Sequence, residues 1–487
     1  MRQSSFFYMP FLFVFPIDIH TKVAQVENLL YLCIKFNSCK IYAGKKYHIM
    51  KFYNRETETQ QLRSIRSSVY DGHSKLTVLS GRRRVGKTSL IEMALDDEPY
   101  VYLFVGKKSE GLLCRSFCQE IAAKLGLFVP DMVTFEQVFQ FLMQIDKPYT
   151  LVIDEFQNFQ NINSSIFSDI QNYWDQYRKK RHINFVVSGS IYSMMHRIFK
   201  DESEPLYGRA DYTIHLYPFT TDVLKHILED NNPSYTPDDL LALYTFTAGI
   251  PRYVELLIDR QAVTRDTIIS AVTERDSPFL DEGQYLMVQE FGKNHDTYFS
   301  ILQAVANGNN TQNEIESYLG GNISIGGQLR KLEETYDILA KHRPIMARPN
   351  SQTVRYEIKD IFLKTWFHYI DNNQSLIETL NFSQLAAIIR SDYEVYSGHI
   401  LEQFFRQKMQ EEQLYTQIGA WWDGKSEQNE IDIVAICNDN KTAVVAEVKR
   451  HKKRVKYQDF LTKTENLQNK VLPKYKLHPV CLDLEDM

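Results

Sequence analysis

The chain has 487 residues, a net charge of −5, 44% hydrophobic residues and 24% charged residues. That length exceeds one hydrophobic core and suggests about three domains, while the composition excludes a largely disordered chain. The negative balance excludes a globally basic nucleic-acid binder, so any such contact must come from a local patch.

Residues 1–49 open with an apolar, aromatic run from Phe6 to Ile17, interrupted by Pro10 and Pro16. The run is shorter than the ~20 apolar residues that span a bilayer. Arg2 precedes it, but no small-residue cleavage site follows. Met50 begins Met-Lys-Phe-Tyr-Asn-Arg-Glu, a natural start. Residues 1–49 are therefore expected to be an upstream extension from a misassigned start, with a genuine appendage or a signal or anchor as alternatives. No membrane partner is expected. Cys33, Cys39, Cys114, Cys118, Cys437 and Cys481 are scattered, which does not suit a disulfide scaffold and suits a reducing cytoplasm.

From Leu76 to Leu216 short β-rich runs alternate with helical stretches. The strands expected are Leu76–Ser80, Tyr100–Val105, Thr150–Asp154, Asn184–Ser188 and Tyr212–Leu216. That rhythm predicts an α/β fold with a parallel sheet covered on both faces. Gly81-Arg82-Arg83-Arg84-Val85-Gly86-Lys87-Thr88, with Ser89 next, fits G-x-x-x-x-G-K-[ST] between a strand and a helix. The loop N–H groups and the helix N-terminus suit the phosphates of ATP. Lys87 is expected on the β- and γ-phosphates and Thr88 on Mg²⁺. Thr150-Leu151-Val152-Ile153-Asp154-Glu155 is the matching Walker B strand. Asp154 is the second candidate for Mg²⁺, and Glu155 the candidate base for the attacking water. Ser188 or Ser190 is a candidate γ-phosphate sensor, Arg209 a candidate arginine finger, and Arg252 a candidate phosphate contact from a helical lid. For each arginine an ordinary ion pair is the alternative.

These motifs resemble the archaeal-type ATPases, a branch of the AAA-like P-loop ATPases. The matching residues are Asn54-Arg55-Glu56, the Gly-Arg-Arg-Arg-x-Gly-Lys-Thr loop, Asp154-Glu155-Phe156-Gln157, Leu206-Tyr207-Gly208-Arg209 and Gly249-Ile250-Pro251-Arg252. The similarity extends from about Met50 to near the C-terminus and implies that Asn54 to Glu56 lie near the adenine end. The expected domains are a P-loop core (50–217), a helical lid (218–290), a winged-helix-like module (291–357), a helical linker (358–394) and a restriction-endonuclease-like α/β domain (395–487).

In the middle module, helices are expected at Phe299–Val305, Thr311–Leu319 and Ser324–Glu334, with Ser324 as N-cap of the third. A wing hairpin should follow, from Arg343–Ile345 to Val354–Tyr356. This resembles the family's winged helix-turn-helix, in which Gln328 and Arg330 would meet DNA. Residues 311–350 hold five basic and five acidic side chains, so packing or protein contact is the alternative.

In the last module Asp432 and Glu447-Val448-Lys449 end two apolar strands. Paired side by side, the strands would bring both carboxylates to one Mg²⁺ or Mn²⁺, with Lys449 orienting water or stabilising charge. Glu402, on a helix over Ser397–Gln410, would complete the shell. The pattern resembles the PD-(D/E)xK nuclease-like domain that ends this family. Residues 449–456, with six Lys/Arg and no acid, add phosphate-backbone contact to a solvated helix face as a reading. The sequence therefore predicts an ATP- and Mg²⁺-dependent ATPase whose nucleotide cycle controls a DNA-binding or nuclease-like tail. The alternative is an ATP-regulated scaffold with an inactive nuclease-like domain and a protein partner or a second copy of the chain.

Overall fold

The computed structural model describes residues 50–487, apart from 97, 293–295, 322–323 and 424–425. Residues 1–49, with the expected extension, lie outside the described residues. Five strands form one parallel sheet: β1 (Lys75–Gly81), β2 (Tyr100–Phe104), β3 (Tyr149–Asp154), β4 (Ile183–Gly189) and β5 (Tyr212–Leu216), in the order β2-β3-β4-β1-β5. β3 and β4 are buried along their whole length and sit at the centre, whereas burial alternates along β2 and β5 at the edges. Continuous apolar runs and alternating runs thus sort into central and edge strands, as burial on both faces requires. β4 separates β1 from β3, and all strands run the same way. Gly81, Asp154 and Gly189 therefore end at one edge, where open α/β sheets place their sites.

The segment expected as a lid holds helices Thr221–Asn231, Pro237–Thr247, Pro251–Asp259, Arg265–Thr273 and Pro278–Phe291. Pro237, Pro251 and Pro278 each open a helix, where a missing N–H costs nothing. Next come helices Asp296–Ala306, Gln312–Tyr318 and Gly326–Glu334, then the antiparallel hairpin β6 (Leu339–His342) and β7 (Arg355–Ile358). Thr311 and Glu314 form a reciprocal capping box on the second helix. The third is not capped by Ser324: its N-cap is Ile325, fully buried and without a side-chain cap bond. Core burial, not capping, starts that helix.

Helix Ile361–Tyr369 leads to a 30-residue helix, Phe382–Glu411, ~45 Å long at 1.5 Å per residue. It runs unbroken through the expected 394/395 boundary. The tail sheet has β8 (Tyr415–Asp423), β9 (Ser426–Cys437), β10 (Thr442–Val448) and β11 (Lys476–Leu482), in the order β11-β10-β9-β8. β8, β9 and β10 are antiparallel, β11 joins β10 in parallel, and helix Tyr457–Lys470 makes the crossover.

The apolar core is divided unequally. The P-loop sheet has one cluster on each face. A third cluster starts at Phe219 in the lid, continues through the hairpin module and the long helix, and takes in Ile433, Ala435, Ala446 and Val448 of the tail sheet. The other tail face packs on Phe460 and Leu467. Lid, hairpin module and tail thus share one core, apart from that of the P-loop sheet. Among the described residues, no helix is long and apolar enough to cross a membrane.

Candidate functional site

β1 delivers Gly81 at φ 153°, where a Cβ would meet the Leu216 carbonyl oxygen at 2.7 Å. Gly86 is the left-handed N-cap (φ 92°) of helix Lys87–Ala94, so both motif glycines meet a backbone demand. Lys87 is buried and donates to the Gly81 carbonyl at 2.8 Å and the Arg82 carbonyl at 3.0 Å. Burial lowers its pKa to about 8, against the charges of Glu155 and Asp154. Val85 is buried under the loop, and Thr88 and Ser89 open to solvent. The Thr88 hydroxyl lies 3.4 Å from Asp154 Oδ2. A hydroxyl and a carboxylate so placed are hard oxygen donors that fit Mg²⁺. Tyr102, on β2, donates its hydroxyl to the same carboxylate oxygen of Asp154.

Glu155 has a left-handed backbone, φ 54°, an unusual conformation for a non-glycine residue. Ser190 Oγ and Gln157 Nε2 both donate to its Oε2, at 3.0 and 2.5 Å. Ser188 stays inside the sheet, fully buried, and among the described residues its hydroxyl has no partner. Of the two candidate sensors, Ser190 is the one that meets the Walker B glutamate.

Two of the three loop arginines reach acids downstream in the chain. Arg82 pairs with Asp360, and Arg84 pairs with the buried Glu282 at 2.7 Å. The Arg84 guanidinium lies 5.6 Å from the Tyr253 ring centroid, and the Tyr253 hydroxyl donates to Glu282 at 2.8 Å. Asp360 is the N-cap of helix Ile361–Tyr369. Arg83 has no ion pair among the described residues. Arg55 is buried, donating to the carbonyls of Tyr217 at 2.6 Å and Val85 at 3.4 Å. Arg209 makes a forked ion pair with Asp175 and donates to the Pro205 carbonyl. Arg252 pairs with Glu255, while its backbone N–H donates to the Arg84 carbonyl at 3.3 Å. Tyr102, Glu282 and Asp360 have no sequence signal of their own, and only strand register and long-range packing bring them to the loop; Gln157 ends the Asp-Glu-Phe-Gln motif and reaches Glu155 locally.

The tail residues also converge. Asp432 accepts from the Val448 N–H at 2.8 Å and from Lys449 Nζ at 3.1 Å, and Lys449 lies 3.3 Å from Glu447. Burial and then the Asp432 charge raise the Glu447 pKa. Burial pulls Lys449 down, but Asp432 and Glu447 more than offset it and leave its pKa raised. Glu402 is raised by burial and by Asp432, and its carboxylate turns to Arg406 at 3.6 Å and His399 at 3.7 Å. The fit to a divalent cation is therefore partial. Glu447 Oε2 is buried without a partner, yet among the described residues no three His, Cys, Asp or Glu side chains are grouped to hold a metal. The basic run divides by burial. Arg450 is buried on Ser397 and Asp238 of the lid, both at 2.6 Å, while Lys453 and Arg454 are exposed.

Comparison with known proteins agrees with this geometry. A family described as an ATPase domain predominantly from Archaea matches residues 52–257, and a family of archaeal and bacterial proteins of unknown function matches residues 366–461. An uncharacterized protein of Methanocaldococcus jannaschii is 29% identical over 406 residues, covering 82% of this chain and 87% of that protein. The solved Walker-type ATPase of Pyrococcus abyssi superposes with a TM-score of 0.50 at 18% identity, over 67% of this chain and 99% of its own; this likeness is one of fold. With the full P-loop, its Walker B strand and the intervening fourth strand in place, residues 52–257 match the archaeal ATPase-domain family and carry the fold of a P-loop ATPase.

Proposed function

We propose that the chain hydrolyses ATP at the Lys87–Thr88–Asp154–Glu155 site and uses the nucleotide cycle to shift the P-loop sheet against the lid, hairpin module and tail. The observation that carries this reading is the pairing of the phosphate-loop arginines with downstream acids, Arg82 with Asp360 and Arg84 with Glu282. Phosphates of ATP entering the loop would compete for these cations and for the Lys87 ammonium, so nucleotide binding and the position of the downstream half are coupled. Thr88 and Asp154 would hold Mg²⁺, which supplies charge neutralisation on the phosphates when bound. Glu155, held by Ser190 and Gln157, accepts the proton of a water attacking the γ-phosphorus as the bond to the ADP oxygen breaks. The downstream half would act on DNA through its hairpin module and its tail carboxylates.

The test is one preparation assayed for ATP turnover and DNA cleavage, with and without Mg²⁺ and DNA. Turnover absent in all conditions would sink the ATPase reading. A second reading, an ATP-regulated scaffold with an inactive tail, is favoured by the Lys449 ammonium standing between Asp432 and Glu447. ATP turnover without metal-dependent nicking would support it. Arg209 and Arg252 remain candidates for transition-state contact: alanine variants should lower turnover more than ATP affinity, and wild-type values for both would leave them structural.

A further inference from the structure

Between the β6–β7 hairpin and β8 lies an open cleft of about 880 Å³, walled by Lys341, Arg343, Asn313, Asn350, Gln352 and Trp422. We propose that this cleft binds a segment of single-stranded DNA and leads it toward the tail carboxylates. The inference rests on the reading that the downstream half acts on DNA.

Charge is the first observation. Arg355, on the cleft wall, is committed to Glu430 at 2.6 Å and stacks 4.5 Å over the Trp422 ring. Asp423, the acid on the wall, is neutralised by Lys470 at 2.7 Å. Among the described residues Lys341 and Arg343 have no ion pair; Arg343 donates to the Ser351 carbonyl at 3.4 Å and Lys341 lies 6.0 Å over the Tyr356 ring, so the cleft carries two cations without a carboxylate partner in a chain of net charge −5. Two cations on one wall suit adjacent backbone phosphates.

Hydrogen bonding is the second. Among the described residues the side chains of Asn313, Asn350 and Gln352 make no hydrogen bond to protein. Each amide offers a carbonyl acceptor and an NH₂ donor, the complement of base edges that only an unpaired strand exposes fully.

The third observation excludes a free wing. Ile345, in the loop between β6 and β7, is buried in the tail core, and its N–H donates to the Ala420 carbonyl at 2.8 Å. That loop covers the β8 edge and is not available to enter a duplex groove. The cleft adjoins the carboxylate site through a shared frame. Glu430, the partner of Arg355, stands two residues before Asp432 on β9. Arg406 lies 3.9 Å from Glu357 of β7 and donates to the Asp432 carbonyl at 3.0 Å.

The experiment is fluorescence anisotropy of the full chain with a labelled 15-nucleotide single-stranded DNA of mixed sequence, across a salt series. A duplex of the same sequence is the competitor. The wild type should prefer the single strand. Lys341→Gln with Arg343→Gln should flatten the log–log salt slope by about 1.4, at ~0.7 per phosphate contact. This corresponds to about 25-fold weaker binding at 0.1 M salt, taking equal affinity at 1 M. Lys179→Gln, in the exposed turn before β4, should leave both unchanged. If the double variant misfolds by circular dichroism, Lys341→Gln alone is read, with a slope change of about 0.7. Binding by the wild type that the cleft variants do not alter, or a preference for duplex, overturns the cleft and leaves the DNA reading standing. No binding of either DNA overturns both.

Discussion

Lys87 is buried where its charge is opposed by desolvation and favoured by Glu155 and Asp154, and the balance brings its pKa to about 8. Phosphate binding requires the ammonium, so ATP binding above that pH must take up a proton. Affinity should be flat below about pH 7 and fall above about pH 8, by up to about tenfold per pH unit for one proton. Equilibrium titration with a fluorescent ATP analogue from pH 6.5 to 9.5 checks this; a flat profile would mean that Lys87 stays charged throughout. Lys87→Ala should weaken binding at every pH and abolish the profile. Glu155→Gln should bind ATP normally and turn over about 100-fold more slowly or worse, because an amide cannot take the water proton; single-turnover hydrolysis is the measurement. At this scale the motif residues were legible because their spacing is set by local backbone chemistry. Their holders were legible only in part: Ser190 and Gln157, which hold Glu155, lie in named motifs, whereas Tyr102 does not. Tyr102 reaches Asp154 only because β2 pairs with β3 in one register, with Phe104 opposite Asp154.

At the scale of elements, hydrophobic periodicity marked all five strands of the P-loop sheet within a residue or two, because each strand is short and bounded by turns or helices. It did not mark where the long helix begins. Phe382–Glu411 keeps Leu385, Ile389, Tyr393, Ile400 and Phe404 on one buried stripe, but the polar run Arg390-Ser391-Asp392 interrupts it in the sequence. The Ser324 cap was misread for a related reason, since burial of Ile325 sets the start of that helix. The loop arginines belong to this scale too, because each ties one element to another. Arg84→Ala and Glu282→Gln should each loosen the P-loop from the lid. Their double-mutant cycle should give a coupling of about 0.5–3 kcal/mol in chemical denaturation, typical of directly contacting groups. Glu282 is almost fully buried, which puts the expected value toward the upper part of that range. If ATP competes for Arg84, saturating nucleotide should shrink the coupling; additivity in both conditions would remove Arg84 from the proposed switch.

At the scale of the whole molecule, the tail is not a detachable domain. Ile433, Ala435, Ala446 and Val448 lie in the cluster that begins in the lid, and excising residues 391–487 would expose that face to water. Metal binding must therefore be tested on the full chain, in an Asp154→Asn background that removes the nucleotide-site carboxylate. Asp432 and Glu447 are held together with one oxygen of Glu447 buried and unpartnered, and two such carboxylates are costly without a neutralising cation. In the structure Lys449 lies at both carboxylates and Lys463 stands 3.6 Å from Glu447. Calorimetric titration with Mn²⁺ should show binding that Asp432→Asn weakens. Lys449→Ala should bind Mn²⁺ at least as tightly as its parent, because the ammonium no longer competes for the same oxygens. The raised pKa of Glu447 gives the sign of the pH effect. Protons compete with the metal, so affinity should fall on acidification and begin to do so at a higher pH than for an ordinary carboxylate. Any DNA cleavage should be lost in Lys449→Ala even though metal is retained, since the lysine would act on the water or the reacting phosphate. No heat of binding at millimolar Mn²⁺ in either the parent or Lys449→Ala would mean that the carboxylates serve the lysine alone, and the scaffold reading of the tail would then take precedence.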